Sequence, residues 1–251
     1  MPISLRGTAS NNASAGADVT VTLPGGIAKG DVVFAAYCEG GVLRPNQDMD
    51  MVTAGYTELA DLFADDTLEA NLGVFRKVQG VTPDTTAVFD GHGGSADGVA
   101  AAVVVLSDVD TVTPEDTATT TATGINDGTP DPPSITTVTA GAWVIAIGGS
   151  SAEDVPTAPA NYENLVTDLN AADAGKSSVM MATRLIASPT SENPGVFGNI
   201  VVDITDAWAA ATIAVRPRFY PAIDSDLGYL RHPKHKIRAG VARQVEYGLR
   251  A

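Results

Sequence analysis

One loop of this sequence carries residue types that could perform nucleophilic catalysis. The segment DGHGGSADG (90–98) holds His92, the one histidine before the C-terminal region. Its imidazole could act as a base toward Ser95, with Asp90 or Asp97 orienting the ring, as in an acyl-transfer triad. Residues so close together in one glycine-rich loop rarely align in that way. We therefore predict a solvent-exposed turn here, with an ion-binding loop or a catalytic site as the lesser alternatives.

Acidic side chains cluster in three further segments that resemble loops. These are QDMDM (47–51), ADDTLE (64–69) and INDGTPD (125–131). Carboxylate oxygens suit Ca²⁺, but none of the segments has the twelve-residue alternation of a dedicated calcium loop. A chain with 22 Asp produces such doublets by composition alone, so solvated loops are predicted. No cysteine and histidine spacing suits zinc, and no glycine-rich loop suits a phosphate group.

The remaining candidates for chemistry have structural explanations. GGSSA (148–152) has the spacing of a nucleophile elbow, yet no helix follows it. Cys38 ends an apolar run and is predicted to be a small buried side chain. Trp143 and Trp208 are assigned to core packing. Thirty acids could supply the carboxylate pair of a glycosidase, but with both tryptophans in the core the chain lacks the aromatic platform that such an enzyme usually needs. The sequence thus predicts no catalytic, cofactor-binding or metal-binding residue, and a sugar-cleaving enzyme is the third alternative for its function.

The composition is that of an acidic globular protein. The 251 residues are 44% hydrophobic and carry a formal net charge of −15 at pH 7. Such a surface repels polyanions, so the body of the protein is not expected to bind nucleic acid or membranes. The N-terminus MPISLRGTAS lacks the apolar centre of a signal peptide, and no window approaches the ~20 apolar residues of a membrane span. We expect a protein made in a cytoplasm without a signal peptide.

The second half of the sequence repeats the first. Four pairs of segments match in the same order: 30–40 with 141–151, 54–59 with 160–165, 72–80 with 181–189, and 95–106 with 204–215. The offsets stay between 106 and 111 residues, which chance similarity does not produce. With a shift of one residue in the third pair, Arg76 lies over Arg184, and Tyr56 and Tyr162 are equivalent. The shared tyrosines indicate a structural role rather than a binding site in one half.

Both halves have the pattern of short β-strands. Apolar runs such as DVVFAAYC and WAAATIAV are bounded by Gly, Pro, Asp or Asn. The closing run of each half is apolar on both faces, which favours one shared sandwich over two small domains. We predict an all-β, antiparallel, jelly-roll-like sandwich over residues 1–216. Its repeated halves are 1–113 and 133–216, and a polar connector, 114–132, joins them.

Six segments of the body carry a resemblance to known proteins. They are VTLPGGIAKGDVVFAAY, GYTEL, GVFRKVQG, GVAAAVVVLSDVD, PSITTVTAGAWVIAIGG and WAAATIAVRP, within residues 15–217. In spacing and hydrophobic pattern they resemble a recurring all-β module of tailed-virus structural proteins and related surface proteins, often with tryptophan where Tyr56 stands. The resemblance implies a jelly-roll-type sandwich used for assembly or display. It implies no catalytic residue, and it does not include the C-terminal segment.

The last part of the chain differs from the body in charge. From Arg216 onward there are eight Arg or Lys and three acids, against seven basic and 27 acidic residues before it. Residues 217–251 are therefore predicted to be a basic arm. An aliphatic stripe that recurs every four residues allows it a short helix. The residues predicted to bind partners are Arg216, Arg218, Phe219, Tyr220, Tyr229, Arg231, Lys234, Lys236, Arg238, Val241, Arg243, Val245, Tyr247 and Leu249.

The arm could pack on its own acidic body, on neighbouring copies or on a different protein. Opposite charge between arm and body favours an assembly anchor, because it steers subunits together while aromatic and aliphatic side chains supply apolar burial. The predicted function is a non-enzymatic structural protein of a tailed virus particle, attached to capsid or tail through the arm. Expected partners are other copies of the chain and other virion proteins, and the expected location is the virion. A carbohydrate- or receptor-binding module is the alternative.

Overall fold

The structure is a computed structural model of the chain. It describes residues 2–14, 16–42, 46–92, 98–152, 154–171, 176–200 and 205–219. The chain divides into two units, residues 1–219 and 220–251, and the second unit lies outside the described residues. Most of the predicted basic arm, including its possible short helix, belongs to this second unit and so also lies outside the described residues.

The described residues form fourteen β-strands. The first half contributes β1 (Ser4–Ala13), β2 (Val19–Thr22), β3 (Val32–Val42), β4 (Thr57–Ala64), β5 (Leu68–Val78), β6 (Thr86–Phe89) and β7 (Val99–Ser107). The second half contributes β8 (Thr120–Gly124), β9 (Ile135–Thr136), β10 (Ala142–Ser150), β11 (Glu163–Asn170), β12 (Ser177–Ile186), β13 (Ser191–Glu192) and β14 (Trp208–Val215). The predicted all-β class is confirmed. The described part of the chain holds no helix that could cross a membrane.

The strands build two five-stranded antiparallel sheets with the same topology. Sheet 1 has the order β1-β7-β3-β5-β4, and sheet 2 has the order β8-β14-β10-β12-β11. Each strand of sheet 2 is thus the seventh along the chain from its counterpart in sheet 1. The small sheets β2–β6 and β9–β13 obey the same rule. The duplication predicted from the sequence is therefore present at every strand.

The register of one predicted match is wrong by one residue. Phe34 of β3 pairs with Arg76, and its counterpart Ile145 of β10 pairs with Thr183. Arg76 therefore corresponds to Thr183 and not to Arg184. Because side chains alternate along a strand, the two arginines point to opposite faces of their sheets.

The predicted polar connector, 114–132, contains strand β8. This strand alternates between half-buried and exposed residues and pairs with β14 from Thr120 to Gly124. A side chain on Gly124 would overlap the indole of Trp208. Because TTATG is polar, no strand was predicted there, although threonine is well suited to strands. The second half therefore begins before residue 133.

The two large sheets pack face to face over a central apolar core. Its largest members include Phe34, Leu72, Leu106, Ile145, Met181 and Ile213. A second core lies between sheet 1 and the β2–β6 pair, and a third lies against the outer face of sheet 2. Strands β7 and β14 are buried at every residue, because one face of each lines the central core and the other an outer core. The closing strands are thus buried on both faces, but in two separate sheets rather than one.

Equivalent residues meet along β3 and β10 at the centre of the sandwich. Cys38 and Gly149 are counterparts, and a Cβ added to Gly149 would lie 2.9 Å from the Cys38 sulfur. Two residues further on, Gly40 and Ser151 are also counterparts, and a Cβ on Gly40 would lie 3.3 Å from the Ser151 Cα. The halves are therefore related by an approximate twofold axis along these strands. The predicted burial of Cys38 is confirmed, and this burial raises the pKa of its thiol well above the usual range.

The strand directions define two ends of the sandwich. We call one end the exit end, because the described chain leaves its last strand there. Strand β1 begins at this end, and β7 and β14 end there. Val109 and Pro217, which follow β7 and β14, form a β-bridge at this end. The opposite end, the far end, carries the last residues of β3 and β10.

Candidate functional site

The exit end carries a group of exposed apolar side chains. Nine large hydrophobic residues are exposed in the described chain, and five of them lie at this end: Val81, Val112, Val138, Leu185 and Phe219. Val112 and Phe219 are 86% and 80% exposed. Single exposed apolar residues are ordinary, but more than half of those in the described chain lie at this one end, which makes the exit end the first place to look for contact with another protein.

Three of the predicted partner-binding residues lie at the exit end: Arg216, Arg218 and Phe219. The other eleven lie outside the described residues. The Arg216 guanidinium donates hydrogen bonds to Thr113 Oγ1 at 2.9 Å and to the Asp116 carbonyl oxygen at 3.1 Å. The backbone N–H of Arg218 donates to the carbonyl oxygen of Asp108 at 2.7 Å. Arg216 thus ties the connector to the end of β14, whereas the Phe219 ring is exposed.

A buried carboxylate, Asp116, fixes the loops of this end. Its side chain accepts hydrogen bonds from the backbone N–H groups of Val138 at 2.6 Å and Thr139 at 3.0 Å, and from Arg216 Nε at 3.4 Å. Burial alone would raise the pKa of Asp116, but these bonds outweigh it and hold the pKa below its usual range. The apolar group at the exit end therefore rests on loops that are bonded to the strands behind them.

At the far end, the prediction that His92 is exposed to solvent is wrong, while residues 93–97 of the predicted turn lie outside the described residues. The imidazole is only 13% exposed, with Nδ1 3.0 Å from Glu39 Oε1 and Nε2 2.8 Å from the Asp48 carbonyl oxygen. Glu39 is fully buried in β3. The backbone at His92 has a positive φ of 47°, and its N–H donates to Asp90 Oδ1 at 2.8 Å. His92 therefore closes one end of an outer core, while its other proposed triad partners lie outside the described residues.

The His92–Glu39 pair predicts a stability that depends on pH. The hydrogen bond with Glu39 raises the pKa of His92 from 6.5 to about 9, although burial opposes the shift. Because the folded state has the higher pKa, the stabilisation is complete below about pH 6.5 and is lost as the pH rises through about 9. We expect the free energy of unfolding to fall by roughly 2 kcal/mol between about pH 6 and pH 9.5.

Urea unfolding at a series of pH values measures this effect. In the His92→Gln protein the free energy of unfolding should be lower at about pH 6 and nearly constant across the same range. An equal slope in both proteins would show that another group carries the dependence and that the ion pair adds nothing.

Other residues singled out by type have structural roles. Ser150 and Ser151 of the GGSSA segment are buried and donate to backbone carbonyls, Ser150 to that of Gly128 at 2.5 Å. Asp66 and Asp127 accept hydrogen bonds from loop backbone amides. No three His, Cys, Asp or Glu side chains of the described ranges are grouped so that they could hold a metal ion.

The equivalent tyrosines have equivalent surroundings. The triplets are Tyr56, Lys77 and Asp84 in one half and Tyr162, Arg184 and Glu192 in the other. Lys77 Nζ lies 5.4 Å from the centre of the Tyr56 ring and 2.6 Å from the Asp84 carboxylate. Arg184 lies 2.6 Å from Glu192, which also accepts a hydrogen bond from the Tyr162 hydroxyl. These shared neighbours agree with a structural role for both tyrosines, although the Tyr56 hydroxyl, unlike that of Tyr162, has no hydrogen-bond partner among the described residues. Trp143 and Trp208 are buried, as predicted.

Sequence reasoning missed the two carboxylates that matter most at the ends, Glu39 and Asp116. Glu39 stands at the end of the apolar run FAAYCEGG, where an acid among buried neighbours signals a specific partner. Asp116 lies in a segment assigned to the connector, and no local pattern marks it. Its partners are more than twenty residues away in the sequence.

Comparison with known proteins assigns no family to this chain. No protein-family model matches the sequence, and neither a curated protein nor a solved structure matches it. The grounds for a function are therefore the fold, the charges and the surfaces of the chain itself.

Proposed function

We propose that this protein is a non-enzymatic structural component of a tailed virus particle, attached to the capsid or tail through its basic C-terminal arm. Its partners are other copies of the chain and other virion proteins, and its location is the virion. One observation carries the proposal: the duplicated fold is complete before the arm begins. The resemblance of the body segments to tailed-virus modules supplies the setting.

The completeness of the fold follows from the place of its last strand. Each half has seven strands, and β14 is the seventh of the second half. It lies inside sheet 2 between β10 and β8, and all eight of its residues are buried. The repeat therefore accounts for the chain from Ser4 to Val215, and the segment after Phe219 has no counterpart in it. We therefore assign this segment to contact with another molecule.

Charge supports another copy as one partner of this segment. Residues 220–251 contain six Arg or Lys and three acids, whereas residues 1–215 contain seven basic and 27 acidic residues. Opposite charges on two surfaces accelerate their encounter, and salt weakens the effect, since the Debye length falls from ~10 Å at 0.1 M to ~3 Å at 1 M. The apolar group at the exit end offers the surface that a stable contact needs in addition.

The edges of the sheets argue against assembly by strand addition. The pairing shifts register at Leu5/Gly7 in β1, at Glu58/Ala60 in β4 and at Glu163/Val166 in β11. The fourth edge strand, β8, has only five residues. Irregular or short edges blunt pairing with a strand of another chain. An added segment is therefore the better means of attachment.

Neutralising the arm tests the proposal. We expect a protein with Arg231, Lys234, Lys236 and Arg238 changed to Gln to be monomeric at about 0.1 M salt, where the unaltered chain forms a defined oligomer. Light scattering measures the mass. The matched control changes the arm's acids instead, Asp224, Asp226 and Glu246 to Asn or Gln, and should strengthen association. An oligomer that survives the neutralisation and is insensitive to salt would contradict a charge-driven arm.

A further inference from the structure

Charge is distributed unevenly between the two ends of the sandwich. The described residues include eight Arg and Lys, and Lys176, which precedes β12, is the one of them that lies toward the far end. The other seven lie in the half toward the exit end: Arg6, Lys29, Arg76, Lys77, Arg184, Arg216 and Arg218. Nine acids in the same half nearly balance them: Asp31, Glu58, Asp84, Asp108, Asp110, Glu115, Asp116, Glu163 and Glu192. The exit half is therefore close to neutral.

The far end is strongly acidic. Eleven acids of the described chain lie there: Asp18, Glu39, Asp48, Asp65, Asp66, Glu69, Asp90, Asp127, Asp154, Asp168 and Asp206. The basic groups that the described residues place beside them are Lys176 and His92, and His92 is already paired with Glu39. Two far ends would therefore repel each other, whereas a basic segment would be attracted to this end at moderate salt.

One corner of the far end offers apolar surface in addition to charge. The backbone N–H of Asn126 donates to Asp66 Oδ2 at 2.8 Å, which joins the turn between β4 and β5 to the residues that follow β8. Next to this bond in the sequence, Ile125 is 51% exposed. Asp65 is exposed as well, and Asp127 is half-buried. We call this part of the far end the acidic corner; its members are residues 65–66, residues 124–127 and Trp208.

The acidic corner also holds a buried hydrogen-bond donor without an acceptor. Trp208 is 9% exposed, and its Nε1 has no hydrogen-bond partner among the described residues. A Cβ on Gly124 would overlap the indole edge that carries this nitrogen, so the edge packs against Gly124, beside the exposed Ile125. In the first half the counterparts of Trp208 and Gly124 are Val99 and Ala13, which offer no such donor. The fold does not require this N–H, and an unmatched buried donor marks a place for a ligand's acceptor.

We infer, on the basis of the proposed function, that the acidic corner receives the basic arm of a neighbouring copy, so that copies join head to tail. Arg and Lys of the arm match the carboxylates, a backbone carbonyl matches the Trp208 N–H, and the aliphatic stripe matches Ile125. The arm begins after Phe219, at the opposite end of the sandwich. Its 32 residues span about 100 Å when extended, which is enough to reach the far end of the next copy.

Head-to-tail contact joins surfaces that suit each other in charge. The nearly neutral exit end can approach the acidic far end of the next copy, and its exposed apolar side chains then lie in the contact. Pairing of two far ends is opposed by repulsion between their acids. Because each copy offers one arm and one acidic corner, the contact repeats from copy to copy and builds a ring or a filament, as heterologous contacts do.

Mixing two altered full-length chains tests this arrangement. One is the arm-neutralised protein described above, whose acidic corner is intact. The other carries Asp65→Asn and Asp127→Asn, keeps its arm, and should self-associate about tenfold more weakly than the unaltered chain, the loss of two surface ion pairs. At a concentration where the unaltered chain assembles and neither altered chain does, light scattering of the mixture should show a dimer with one copy of each. Nothing larger should form, because one intact arm and one intact corner remain for each such pair.

The matched control removes the same charge elsewhere. Glu58→Gln with Glu163→Gln neutralises two exposed acids toward the exit end, and this protein should assemble as the unaltered chain does. Unfolding temperatures verify that every variant is folded. Asparagine at position 127 keeps the oxygen that accepts the hydrogen bond from the backbone N–H of Thr129, so the corner itself should be preserved.

Three results would overturn the head-to-tail contact. Assembly of the Asp65→Asn, Asp127→Asn protein at unaltered strength would place the arm elsewhere, while assembly that needs the arm would still stand. A mixture that stays monomeric would show that the acidic corner of one copy does not bind the arm of another. A full chain that is monomeric at every concentration would overturn self-assembly together with this contact, and attachment to other virion proteins would be left as the role of the arm.

Discussion

Replacing Gly40 with alanine is expected to destabilise the protein by about 3 kcal/mol, a large fraction of the stability of a typical domain. Gly40 lies in β3 where the two sheets meet, next to its counterpart Ser151. A Cβ there would overlap the carbonyl oxygen of Lys176 and lie 3.3 Å from the Ser151 Cα. Both obstacles are backbone atoms, so relief would require the two sheets to separate. Urea unfolding followed by circular dichroism measures the loss.

A second glycine provides the control for this substitution. Gly25 precedes β3, and a Cβ at that position would have nothing within 4 Å. Gly25→Ala should therefore change the free energy of unfolding by less than about 0.5 kcal/mol. If Gly40→Ala were as harmless as Gly25→Ala, the two sheets would not meet as closely as the approximate twofold axis requires.

The architecture was readable from the sequence because the repeat and the strand pattern agree. Unbroken apolar runs such as VAAAVVVL and WAAATIAV need cover on both faces, and β7 and β14 have it. The repeat also predicted equivalent roles for Tyr56 and Tyr162. Strand β8 was missed because its threonines and glycine look like a connector. Only its pairing with β14, more than eighty residues later, makes it a strand.

The ends of the sandwich could not be read in the same way, because their side chains meet across long stretches of sequence. His92 and Glu39 are 53 residues apart, and Asp116 and Arg216 are 100 apart. A glycine-rich loop predicts exposure, and only the folded chain shows that a buried carboxylate holds this histidine.

The internal symmetry also bears on how the protein would be used. The inner faces of the two sheets are buried against each other. In a single half this apolar face would be exposed and would need a partner. The described surface is that of an acidic body with irregular sheet edges and with an apolar group at the exit end, and the basic segment follows Phe219 in the sequence. Our proposal assigns contact with another molecule to the apolar group and the basic segment.

Deleting the arm is expected to abolish assembly and leave the sandwich intact. The deletion should end after Phe219, because Arg216 and the Arg218 backbone are bonded to the body and a shorter chain would lose those contacts. The truncated chain should be a monomer with the same unfolding temperature as the full chain, since β14 already completes sheet 2. An unfolding temperature that falls by several degrees would show that the arm belongs to the fold.

The measurement that tests the central claim most directly is the solution mass of the full chain and of the chain ending at Phe219, by light scattering at about 0.1 M salt. The account predicts a defined multiple of 25.7 kDa for the full chain and a folded monomer for the truncated one. The same monomeric mass for both would contradict assembly through the arm. An identical oligomer for both would place the contact on the sandwich itself.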